Sequence, residues 1–344
     1  MAGRKRKTSK GSWLPAAAFL LVLLAAGFGA YVAWLTLLPY GPVTETFVEI
    51  APGSSALRIG AQLESAGVVR SEFAFDLIRW FKRGKLRAGE YRFDHPAPVT
   101  EVYARIARGD VYTRAVTVPE GSTLFDIAAR LEEAGFGPRQ AFLAAQAKET
   151  KLIEDLDPGA KSLEGYLFPD TYRFARKVTA AQICAAMVRR FRQEAAQIGL
   201  KENVHDVVTM ASLVERETAA DSDRPLVASV FQNRLAHHMP LMTDASVIYG
   251  LELAGEWRGA IYESDLKRDT PYNTYVHAGL PPGPIANPGL HSLHAAMEPA
   301  HTDYLYFVAA GSDPQGHSVF SATLEQHARD VAAYRSAMKK AGER

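Results

Sequence analysis

The chain has 344 residues, 47% hydrophobic and 22% charged, with a formal net charge of +1. That length suits about two folded domains, and the charge balance lacks the basic excess that binds nucleic acid through phosphates. The single cysteine, Cys184, excludes an intrachain disulfide and a cysteine-rich zinc site. It reads as a small buried helical residue rather than a thiol nucleophile.

Chain order begins with a basic head, residues 1–12, carrying Arg4, Lys5, Arg6, Lys7 and Lys10. An uncharged stretch follows over residues 13–38. About 20 apolar residues cross a bilayer as a helix, so this stretch is expected to be a transmembrane anchor. A cleaved signal peptide is the alternative, with residues 25–30 as its small-residue patch. Trp34 and Tyr40 stand where interfacial aromatics belong, and the positive-inside rule puts the head in the cytoplasm. The expected location is therefore the inner (plasma) membrane, single-pass, with the rest of the chain on the periplasmic side. The cell wall is the abundant polymer there.

Residues 41–112 read as a small mixed domain. Strands are expected over 44–50 and 90–93, and helices over 55–66, 73–82 and 99–108. Residues 113–160 repeat part of it. Gly53 to Gly67 aligns without gaps to Gly121 to Gly135, and both copies follow a strand-like segment ending in Pro-Gly or Pro-Glu-Gly. A weaker echo pairs residues 88–93 with 169–174. Strand, tight turn, capped helix and glycine stop resemble half of a LysM module, a βααβ fold that binds N-acetylglucosamine polymers.

From Thr179 the texture of the sequence changes. Helices are expected over 180–196, 205–218 and 226–235, then loops rich in Pro, Gly, Asn and Tyr, a strand over 304–309 and a last helix over 322–341. In the helix VVTMASLVERET, Val207, Met210, Ala211, Val214 and Thr218 share one face and Arg216 lies opposite. Glu215 and Glu217 sit on the two shoulders of the apolar face. There a nonpolar wall would keep a carboxylic acid protonated to higher pH, as a general acid requires. The alternative is a pair of solvated surface glutamates, and the wheel alone does not choose.

The block MASLVERET at residues 210–218 resembles the active-site helix of the MltG (YceG-like) endolytic murein transglycosylases. The resemblance continues through VASVFQNRL at 227–235, LMTDASVIYG at 241–250, PYNTY at 271–275, GLPPGPI at 279–285 and NPG at 287–289. It ends with YLYFV at 304–308, His317 and Phe320. Upstream, LEGY at 163–166 and FPDTY at 168–172 also fit. Ala245 departs from the pattern, where the family commonly has proline. The resemblance implies an α+β fold: a transmembrane helix, a LysM-like βααβ region, then a mixed α+β catalytic domain over residues 161–344.

It also implies that Glu215 is the catalytic acid/base and Glu217 a supporting residue. The implied reaction cuts the bond between N-acetylmuramic acid and N-acetylglucosamine in peptidoglycan glycan strands. It leaves a 1,6-anhydromuramyl end and terminates strand growth, with no metal and no cofactor. Tyr249, Tyr272, Asn273, Thr274 and Tyr275 suit a sugar groove, and Glu164, Asn233, Thr243 and Asp244 join them as substrate-binding candidates. Asp244 reads as a helix cap for residues 245–249; as a second carboxylate it would permit hydrolysis instead. A hydrolytic muramidase and a non-catalytic wall-binding protein are the alternatives. Penicillin-binding synthases are the expected protein partners, by location. His237-His238 and His291 with His294 lack a zinc-site context, no GxSxG elbow occurs, and residues 279–289 lack the Lys-Ser/Thr of a phosphate loop.

Overall fold

The computed structural model describes residues 13–311 and 316–342. The basic head expected over residues 1–12 lies outside them. The chain divides after Thr113 into two units.

The first unit opens with helix α1, Trp13–Leu37, whose segment Pro15–Leu37 is long and apolar enough to cross a membrane. Strand β1 (Thr46–Ile50), helices α2 (Ala56–Ser65) and α3 (Glu72–Lys82), and strand β2 (Gly89–Phe93) follow, then helix α4 (Val99–Arg108). β1 and β2 pair antiparallel, with Thr46 opposite Phe93 and Ile50 opposite Gly89. Alternation puts Val48, Ile50, Tyr91 and Phe93 on one core with Leu63, Phe75 and Ile106. Ser55 caps α2 by accepting from the Arg58 N–H, and the helix stops at Ala66 before Gly67, whose φ is +68°.

The second unit repeats this order. Strand β3 (Arg114–Thr117), helices α5 (Leu124–Glu133) and α6 (Arg139–Lys148), a 3₁₀ turn at Thr150–Ile153 and strand β4 (Thr171–Phe174) come first. β3 pairs antiparallel with β4, Arg114 opposite Phe174 and Thr117 opposite Thr171. The two ladders share one register: the β1 positions shifted by the sequence repeat meet the β2 positions shifted by the echo. Thr123 caps α5 as Ser55 caps α2, here completed into a capping box by Asp126.

Helices α7 (Ala180–Gln197), α8 (Val204–Glu217), α9 (Arg224–Ala236), α10 (Asp244–Leu253), α11 (Glu263–Leu266) and α12 (Leu290–Met297) build the rest of the unit. The hairpin of β5 (Tyr306–Ala309) and β6 (Ser318–Ser321) and helix α13 (Leu324–Gly342) complete it. One core runs from Val116 and Ile127 through Tyr166 and Phe191 to Val208 and Ala211, so residues 114–160 pack with the helices that follow. Cys184 is buried in it, as expected.

The one-faced wheel for α8 needs correction. Every residue from Val208 to Val214 is buried, because α8 is packed by α9, α10 and α12 together. A helix enclosed by neighbours has no single inner face. The cap of α10 is also corrected: Thr243 accepts from the Ser246 N–H, while Asp244 is the first helical residue and accepts from the Tyr275 hydroxyl at 2.6 Å. Ala245 lies in the first turn of α10, where an unpaired N–H makes proline equally acceptable.

Candidate active site

Glu215 lies in the last turn of α8, its side chain only 5% exposed. One oxygen, Oε1, accepts from Arg224 Nη2 at 3.1 Å; the other, Oε2, accepts from the backbone N–H of Gly289 at 2.9 Å. Arg224 opens α9 and Gly289 precedes α12, so three helix termini converge on one carboxylate. The Glu215 oxygens meet a guanidinium and a backbone N–H, contacts the wheel did not anticipate. A helical wheel sees only its own helix, and Arg224 arrives from the next one.

The guanidinium of Arg224 is itself buried and serves three carboxylates. It also pairs with Asp221, and Glu120 Oε2 lies 3.7 Å from Nη2. Asp221 in turn pairs with His291 at 2.9 Å. Glu120 comes from the turn before α5. Burial first, and then the negative charge of Glu215, raise its carboxyl above the usual glutamate range. A Cβ on Gly289 would stand 2.0 Å from Glu120 Oε1, so glycine there lets this carboxyl approach the backbone that holds Glu215. Gly121, at φ +73°, covers Glu215 from the same turn, and its carbonyl accepts from Arg216 Nη1 at 3.1 Å.

Glu120, Arg224 and Gly289 were not singled out as site residues in the sequence. For Glu120 a signal existed: the second copy of the repeat reads Pro-Glu-Gly where the first reads Pro-Gly, and Glu120 takes the place of Pro52. For Arg224 no local pattern marks it.

Glu164 is fully enclosed. It accepts from the Leu124 N–H at 3.0 Å and from Asn287 Nδ2 at 2.7 Å. Burial pushes its carboxyl up to about 8. Asn287 also accepts from the Leu167 N–H and donates to the Ser122 carbonyl. The 163–167 loop, the turn before α5 and the Gly289 segment are thus tied together. A folded Glu164 holding its proton to about 8, against 4.5 for an ordinary glutamate, makes the folded state the more protonated one between those values. That stability is fully present at low pH and is lost as pH rises toward the folded value. In Glu164→Gln the fall in unfolding temperature from about pH 5 to about pH 9 is expected to shrink. An unchanged slope by scanning calorimetry would refute a neutral buried acid.

Glu217 points to the other side of α8. Burial, and then the negative Asp244, push its carboxyl up to about 7. Glu217, too, is surrounded by charged side chains as well as being buried, with Asp244, Arg234 and Arg216 around it. Asp244 and Tyr275 stand on that side with Arg234, which donates to the carbonyls of Leu305 and Leu241.

The remaining candidates fall into two groups. Tyr272 and Glu164 line a cavity of about 290 Å³ together with Asp157, Tyr166, His205 and Lys161. Asp157 Oδ2 accepts from the Tyr166 hydroxyl at 2.9 Å and lies 2.8 Å from His205 Nδ1. The Tyr249 ring packs edge-on to Tyr272, 5.1 Å between centroids. Asn233, Thr243, Asn273 and Thr274 have their polar atoms engaged internally. Asn233 Nδ2 donates to the carbonyls of Thr302 and Tyr304. Asn273 Nδ2 donates to those of Asp265, Leu266 and Arg268. Thr274 Oγ1 accepts from the Thr243 N–H and contacts Ser246 Oγ at 2.8 Å. Among the described residues no cluster of His, Cys, Asp and Glu has metal-ligand geometry.

Residues 48–333 match the model of the YceG-like family. An endolytic murein transglycosylase of Bacillus subtilis is 36% identical over 305 residues, 83% of each chain. One of Streptococcus pneumoniae is 32% identical over 352 residues, covering 92% of this chain and 64% of the pneumococcal protein. The crystal structure of a yceG-like protein of Listeria monocytogenes, 34% identical, superposes with a TM-score of 0.54 over 84% of this chain and 99% of that one. With the family model covering most of its length, and relatives this similar along the same span, the chain belongs to the YceG-like family, as a homologue of the endolytic murein transglycosylases.

Proposed function

We propose that the chain is a membrane-anchored endolytic transglycosylase that cuts nascent peptidoglycan strands, with Glu215 as its single acid/base. The observation that carries this reading is the buried Glu215 carboxylate, held at both oxygens by donors from separate helices.

In its acid form Glu215 gives its proton to the oxygen bridging N-acetylmuramic acid and N-acetylglucosamine as the C1–O bond breaks. The carboxylate left behind is stabilised by the Arg224 guanidinium and the Gly289 N–H, both already in place. It then takes the proton of the C6 hydroxyl of the same muramic acid as that oxygen bonds to C1. The product is the 1,6-anhydro end; no water is consumed, and Glu215 recovers the proton it gave. Tyr272 offers ring surface to the sugars, and the buried Tyr249 ring packs edge-on behind it. Asn233, Thr243, Asn273 and Thr274 serve by holding the loops around them. The βααβ segments bind glycan in the LysM-like manner.

Helix α1 crosses the inner membrane with its N-terminus in the cytoplasm, and the enzyme acts on the periplasmic side beside the penicillin-binding synthases. A hydrolytic second reading needs a second carboxylate near the bond to direct water. Glu120 favours it, because it shares Arg224 with Glu215, whereas Asp244 lies across α8. Mass spectrometry of peptidoglycan digested by the purified chain separates the two. Anhydromuramyl ends are expected; reducing muramyl ends would overturn the transglycosylase reading in favour of hydrolysis.

A further inference from the structure

Helix α3 has two apolar faces and only one of them is covered. At 100° per residue, EFAFDLIRWFK turns Ala74, Phe75 and Ile78 inward, and they join the core of the first unit. Phe73, Leu77, Trp80 and Phe81 fall on a second face spanning about 100°. Phe73, Trp80 and Phe81 are 51%, 64% and 68% exposed, and the Trp80 and Phe81 rings sit edge to face. Single exposed apolar residues are ordinary in a soluble domain; a contiguous aromatic face marks a contact.

Its surroundings identify what that contact is. α3 packs against α1, and Leu35 and Thr36, near the outer end of α1, are buried. Arg70, two residues before α3, places its guanidinium 4.5 Å over the Trp34 ring and 4.7 Å over Tyr40. The helix therefore starts at the aromatic end of the apolar span, the level of a membrane–water interface. Arg79, Lys82, Arg83 and Lys85 are exposed along and just beyond its last turn; Glu72 and Asp76 are the acidic residues on α3. Aromatic residues on one side and lysine or arginine beside them are the composition of helices that lie in the plane of an anionic bilayer.

We propose that α3 is a second membrane contact of the first unit. It lies in the interface beside α1, with Phe73, Trp80 and Phe81 among the upper acyl chains and the basic residues on anionic lipid headgroups. This rests on the reading that α1 spans the membrane.

The test uses the full chain in vesicles of phosphatidylcholine and phosphatidylglycerol, with single nitroxides at Phe81→Cys, Leu24→Cys on α1 and Glu325→Cys on α13. Cys184 is buried and takes no label. Power saturation compares access to oxygen, which concentrates in lipid, with access to a water-soluble nickel chelate. The oxygen-to-nickel ratio at position 81 is expected to rise well above that at 325 and approach that at 24. A position 81 that tracks 325 would overturn the proposal. So would one shielded from both reagents, since a second copy or another protein then covers the face. Free nickel access at position 24 would sink the spanning reading itself, an outcome distinct from lipid at 24 with water at 81.

Discussion

Glu215→Gln is expected to lower anhydromuramyl product formation by about 10³-fold, the scale of a lost general acid/base, while the chain stays folded. The amide can neither give up a proton to the bridging oxygen nor take one from the C6 hydroxyl, so both halves of the reaction lose their carrier. Folding survives because Arg224 keeps Asp221 and Glu120 as partners when Glu215 no longer carries charge. One side of the amide accepts a hydrogen bond as the carboxylate did. The other presents an NH₂ to a donor, which costs about 1–3 kcal/mol. Product analysis beside a thermal unfolding curve checks both halves. A variant that cleaves at the wild-type rate would remove Glu215 from the mechanism. Glu217→Gln is the companion variant: its carboxyl faces the Asp244 side, and a comparable loss there would exchange the two assignments.

Arg224→Ala is expected to cost stability as well as activity, about 3–5 kcal/mol, the range for removing one partner of a buried ion pair. Arg224 and Glu215 are 6% and 5% exposed, so water does not replace the missing charge. Glu120, Asp221 and Glu215 then face one another without a shared cation. Arg224→Lys restores a charge but not the planar fork that reaches Glu215 and Asp221 from separate nitrogens, so rescue should be partial. Denaturant unfolding measures the cost. A loss under about 1 kcal/mol would mean that the cluster is solvated and does not hold Glu215 in place.

Much of the architecture is legible in the amino-acid sequence. α4 matches its expected span, and α2, α3 and α7 lie within two residues of theirs, because each carries its own cap, apolar period or glycine stop. The internal repeat was legible as well, and its echo at residues 88–93 and 169–174 is the second strand of each ladder. Strand β6 and helix α12 carry no such local signal. Four residues of strand and eight of helix leave little periodicity to detect, and α12 is held by α8 and α9, which are distant in sequence.

The amino-acid order alone determined the apolar span, the paired strand–helix units and the glutamate pair at the end of α8, since each is a pattern within a few turns of chain. Only the tertiary structure decided which carboxylate stands in which setting. Residues 120 and 289 are far along the chain from 215 and 224, and the four form one site because the ends of α8, α9 and α12 and the turn before α5 meet there. The field at a buried carboxyl comes from groups on neighbouring elements, and no reading of a single helix contains them.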